Sequence, residues 1–175
     1  MAPAKAWRIG ASAALALASP VLLGATANGA SFHERVLAAH NRERSSNGGP
    51  PLSWDHELAD GASDWADYLA KTGRFAHSPD DQGAEPVGEN IWGGTAAKYS
   101  PESMVSLWIS EKRFFKPGTF PHNSTTGDVR DVSHYTQLMW RSSRRVGCAV
   151  SRGTREDILV CRYASAGNMI GEKPF

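Results

Sequence analysis

Two cysteines, Cys148 and Cys161, sit inside runs of strand-forming residues, Val146 to Val150 and Ile158 to Tyr163, on either side of the turn-rich stretch Ser151 to Asp157. No other feature restricts the fold so tightly. A hairpin centred between Thr154 and Arg155 sets Cys148 directly opposite Cys161, where side chains come close enough to bond. That register predicts one disulfide and decides which residues of each strand share a face. The alternative is a pair of free, buried thiols. Two cysteines cannot by themselves build a tetrahedral structural zinc site.

A disulfide needs an oxidising compartment, and the start of the chain points to one. Lys5 and Arg8 precede an uncharged, Ala- and Leu-rich run from Ile9 to Ala30, the layout of a secretory signal peptide, and Ala25-Thr26-Ala27 offers small residues for cleavage. Residues 1–27 are therefore expected to be removed, leaving a secreted or extracytoplasmic protein, periplasmic in a Gram-negative cell, with no stable membrane span. An uncleaved anchor is the other reading, because the run is just long enough to cross a bilayer. The whole chain has 175 residues, 41% hydrophobic, which suffices for one buried core without staples. Its 19 Lys and Arg against 18 Asp and Glu leave a net charge of +1 with no basic stripe, which argues against nucleic acid as a partner.

Local signals predict three helices. Ser31-Phe32-His33-Glu34 has the form of a capping box and opens a helix to about Arg44, stopped by the stretch Ser45 to Pro51. A second helix follows Ser53, with Leu58, Ala62, Trp65 and Leu69 on one apolar face and Gly73 at its end. Ser100-Pro101-Glu102 starts a third, whose stripe is Met104, Leu107, Trp108 and Phe115. Val87 to Trp92 reads as extended. Helices and strands mix without regular alternation, so the fold class is α+β with a mainly antiparallel sheet.

Some polar residues interrupt apolar faces. Glu111 falls on the stripe of Met104 and Trp108, where a buried carboxylate needs a partner; equally, the stripe could end early and leave Glu111 at a wet margin. Glu89 alternates onto one face with Val87 and Ile91, while Asn90 and Trp92 take the other. His134 opens the aromatic-rich segment to Trp140, and His77 follows Phe75 before Ser78-Pro79. Each could be a metal ligand or a hydrogen-bonded structural residue, and no local metal motif decides between them. His40 with Asn41 reads as structural. Nucleophile-elbow, phosphate-loop and dinucleotide motifs are absent.

Leu37-Ala38-Ala39-His40-Asn41, Gly88-Glu89-Asn90-Ile91-Trp92, His134-Tyr135-Thr136-Gln137-Leu138-Met139-Trp140, Val146-Gly147-Cys148, and Cys161-Arg162-Tyr163 through Gly167-Asn168 stand in this order along the chain. The set resembles the signatures of the CAP superfamily: cysteine-rich secretory proteins, antigen 5 and pathogenesis-related 1 proteins, also called the SCP domain. The likeness covers about residues 31–175, in a compact microbial form with one candidate disulfide. It implies an α-β-α sandwich with a cleft lined by His77, Glu89, Glu111 and His134. It further implies that His77 and His134 bind a divalent metal, zinc foremost and weakly held, while the glutamates orient water or imidazoles. Small-molecule, sterol or other lipid ligands are implied as partners. Ser133, where many members have Gly, and Ala164-Ser165-Ala166, where a proline-rich segment is usual, depart from the pattern. Secreted ligand binding is the function this resemblance favours over catalysis. A metal-dependent extracytoplasmic hydrolase with Glu89 or Glu111 as base is the alternative. A third reading is a lipid carrier that uses the stretch from Phe114 to Phe120 and the loop to Val132 as an entry flap.

Overall fold

The computed structural model describes residues 29–79 and 85–175, so the expected signal segment 1–27 lies outside the described residues. Ser31 accepts from the Glu34 amide while the Glu34 carboxylate accepts from the Ser31 amide, and this complete capping box starts helix α1, Phe32–Ser46. A two-residue strand β1, Ser53–Trp54, leads to α2, His56–Thr72, capped by Asp55 and ended by Gly73 in the left-handed conformation. Strand β2 is Gly88–Thr95. Helix α3, Pro101–Ile109, takes Ser100 as its cap and Pro101 as its first residue. The chain then tightens into a 3₁₀ turn, Ser110–Phe114, and a second such turn, Val129–Asp131, precedes helix α4, Ser133–Met139. Strands β3, Arg145–Arg152, and β4, Glu156–Ala164, form the expected hairpin.

The sheet order is β1-β3-β4-β2. The β1/β3 pair is parallel and the other two are antiparallel, so the sheet is mixed and mostly antiparallel. Cys148 lies opposite Cys161, and the two are bonded. Alternation along the strands divides the interior. Ile91, Ile158 and Val160 face α2 and bury Ala62, Ala66 and Leu69. Trp92, Val146, Cys148, Leu159, Cys161 and Tyr163 face the opposite way, against Val36 of α1, Met104 and Trp108 of α3 and Leu138 of α4. The result is a three-layer α-β-α arrangement. Gly147 makes it possible on one side, since a Cβ there would lie 2.1 Å from the Ala59 nitrogen in the first turn of α2.

Two details differ from the sequence reading. Leu107 is 46% exposed and does not belong to the buried stripe of α3. The α-helix itself stops at Ile109 and a 3₁₀ turn carries the chain on, so Glu111 and Phe115 lie beyond the helix; both are only partly buried, and Phe115 packs against the same core as Met104 and Trp108. The loop after this turn is tied back on itself. Lys116 N donates to Asn123 O, and the fully buried Asn123 amide donates to the carbonyls of Lys116 and Gly118.

Candidate functional site

Two carboxylate–imidazole pairs stand out, one on each face of the edge strand β2. Glu89 points to the α2 face with a side chain only 8% exposed, and its Oε1 lies 2.8 Å from His77 Nδ1. The Ser78 amide and hydroxyl donate to the same carboxylate at 3.0 and 2.8 Å. Arg162, opposite Glu89 across the ladder, brings its Nε to 3.6 Å. Burial of Glu89 works to raise its pKa, but the hydrogen bonds from His77 and Ser78 prevail and hold it below the ordinary value. The same hydrogen bond, donated by His77 to Glu89, raises the pKa of His77 against the effect of burial.

The second pair belongs to the other face. Glu111 Oε1 lies 2.6 Å from His134 Nδ1, and Glu111 Oε2 accepts from the amides of His134 and Tyr135 at 3.1 and 3.0 Å. One carboxylate therefore caps the first turn of α4 and orients the imidazole on it. The His134 ring also lies nearly parallel to Trp108, with centroids 6.1 Å apart. This resolves the choice left by periodicity: Glu111 is a partly buried, fully engaged carboxylate at 18% side-chain exposure.

The structure thus joins the four predicted residues two by two. Among the described residues no group of three or more His, Cys, Asp or Glu side chains is placed to hold a metal ion together. Neither His77 nor His134 has an Nε2 hydrogen bond to a described residue, whereas both Nδ1 atoms are occupied. Beside His77, residues Trp65, Tyr68, Leu69, Arg74 and Ala76 line a cavity of about 440 Å³. Its aromatic wall is fixed: Trp65 and Tyr68 stack at 4.8 Å, and Trp65 Nε1 donates to the Ala76 carbonyl. The phenylalanine stretch expected as a flap is packed instead. Phe115 stacks on Phe175 at 4.9 Å, Phe120 meets Trp140 edge-on at 6.3 Å, and Phe120 N donates to Glu172 O.

Sequence reasoning missed the groups that hold α4 in place. Arg44, with no exposed surface, donates to the carbonyls of Pro50, Leu138, Trp140 and Ser143. Asn90 Nδ2 donates to the His134 carbonyl at 3.0 Å and to Tyr163 Oη at 3.3 Å. An arginine late in a helix reads as a solvated partner of the helix dipole, so nothing in the sequence marked Arg44 as buried. Asn90 did carry a signal, because alternation places it on the face of the buried Trp92.

The profile of the cysteine-rich secretory protein family (CAP) matches residues 37–163. Pathogenesis-related protein PR-1 of Medicago truncatula is 34% identical over 147 residues, covering 83% of this chain and 80% of the relative. Pathogenesis-related protein 1 of Arabidopsis thaliana is 36% identical over 141 residues, covering 79% and 80%. Among solved structures, NaASP2 with Zn2+ superposes with a TM-score of 0.68 at 25% identity, covering 87% of this chain and 90% of that one. BmVAL-1 superposes at 0.66, covering 82% and 81%, and at 24% identity it speaks for the fold alone. With the profile spanning most of the chain and the α-β-α layers matching solved neighbours, this chain belongs to the cysteine-rich secretory protein (CAP) family.

Proposed function

We propose that this is an exported binding protein that holds a divalent cation, zinc foremost, through His77 and His134, with a small or lipid-like ligand lying in the cavity beside His77. The observation that carries this reading is the shared state of the two imidazoles. In each, a glutamate occupies Nδ1, which fixes the ring and leaves Nε2 as the donor to a metal. Two imidazoles suit zinc, and water completes such an open site. The structural neighbour NaASP2 carries Zn2+, which supports the choice of ion. When bound, the ion supplies Lewis acidity to a ligand oxygen. Export is supported by the disulfide and by the signal-like start of the sequence.

Binding is favoured over hydrolysis because both carboxylates are already engaged. Glu111 accepts three N–H donors, and Glu89 accepts from His77 and from two groups of Ser78. A general base would have to release one of these before taking a proton from water. The test is a zinc titration of the purified protein and of a His77→Ala, His134→Ala double variant, read by competition with a chromophoric chelator. The natural protein binds zinc and the double variant loses that binding; equal binding by both removes the site assignment. Chelator-sensitive turnover of an ester or peptide substrate would favour the hydrolase instead.

A further inference from the structure

We infer that Asn90 is a positioning residue of this site, and that Glu89-Asn90 is the gauge that sets the two imidazoles relative to each other; the inference rests on the reading that His77 and His134 share an ion. Successive residues of a strand point to opposite faces at a fixed rise. Here the two successive side chains each grip one half of the site. Glu89 holds the His77 ring, and Asn90 holds the His134 carbonyl.

The Asn90 end of the gauge is anchored in the core. Its residue is 1% exposed. Its amide also donates to Tyr163 Oη, which lies 2.8 Å from His40 Nε2, and His40 Nδ1 lies 2.9 Å from the Val36 carbonyl. A carbonyl can only accept, so His40 donates from Nδ1 and its Nε2 accepts the Tyr163 proton. The chain of bonds therefore runs one way, from Asn90 through Tyr163 and His40 to α1, and each bond polarises the next. In the ladder, Asn90 stands opposite Cys161, which is bonded to Cys148 of the next strand. One row thus ties β2, β4 and β3 together at the height of the site. With Glu111 on its amide and Nδ1, Asn90 on its carbonyl and Trp108 against its ring, His134 is held at every polar group except Nε2.

The test compares zinc affinity with thermal stability in the full chain for Asn90→Ala, for Asn90→Thr, which suits a strand and fills more of the space, and for Val160→Ala. Val160 is fully buried in the α2-side core and serves as a control that loosens the protein without touching His134. Both Asn90 variants weaken zinc binding at least tenfold while remaining folded, and Val160→Ala leaves it within twofold at a comparable loss of melting temperature. Natural affinity in either folded Asn90 variant overturns the inference, as does an equal loss in Val160→Ala, which would make the effect a general softening. Zinc binding that survives in the His77→Ala, His134→Ala double variant overturns the underlying site assignment instead, so the two failures are told apart.

Discussion

His40 spends both ring nitrogens on neutral partners inside the protein, and this makes it sensitive to acid. Burial, with the charge of Arg44 adding to it against the favourable bond to Val36, pushes its pKa down to about 4. In the unfolded chain it takes up a proton near the ordinary 6.5. Its neutral form therefore contributes its full share of stability above that value, and the share is lost as pH falls from 6.5 towards 4, by about 3 kcal/mol in all. His77 runs the other way: its raised pKa contributes stability at low pH that is lost as pH rises through the folded value. The comparison that isolates His40 is the natural protein against His40→Leu, Tyr163→Phe, which removes both partners of one buried bond together. Urea denaturation between pH 7 and 4 is expected to show a steeper decline in the natural protein. Parallel curves for the two proteins would contradict the assignment.

Helix α4 has only seven residues, and no side chain of its own neighbouring segment caps its start. Isolated helices of that length do not persist in water. Its ends are held from elsewhere, with the Glu111 carboxylate on the first amides and the Arg44 guanidinium on the carbonyls of Leu138 and Trp140, each charge matched to the helix dipole. Arg44→Met is expected to lower stability by about 3 kcal/mol, because several buried carbonyls lose their donor. Glu111→Gln should cost about 1 kcal/mol through the weakened cap alone; both are measured by chemical denaturation. The second result matters for function, since loss of activity in Glu111→Gln cannot by itself name a general base. Elements with their own signals were legible in the sequence: the capping box of α1, Ser100-Pro101 of α3 and the cysteine hairpin. Helix α4 was not, because five consecutive buried residues from Tyr135 to Met139 erase the helical period and its caps are distant in the chain.

Across the whole molecule, Glu89 and Glu111 were visible as carboxylates on apolar faces, but only the family resemblance grouped them with His77 and His134, and their pairing was not legible. Which glutamate meets which histidine depends on Glu89 and Asn90 facing opposite layers, a property of the assembled sheet. The disulfide, in contrast, followed from register within a single hairpin. It closes a loop of 13 residues, and chain entropy for that length predicts that Cys148→Ala, Cys161→Ala costs about 3 kcal/mol, read as a lower urea midpoint than the natural protein. An unchanged midpoint would show that the hairpin needs no covalent tie. A last consequence concerns the sealed asparagine of the loop after α3. Asn123-Ser124-Thr125 is an acceptor tripeptide for N-linked glycans, yet its amide nitrogen is enclosed and gives its protons to Lys116 and Gly118. Sugar attached to the nascent chain would take one of the two amide protons and need room that the fully buried side chain lacks, so a eukaryotic secretory host should release mostly carbohydrate-free material, with the modified fraction retained as misfolded, and Thr125→Ala should raise the yield.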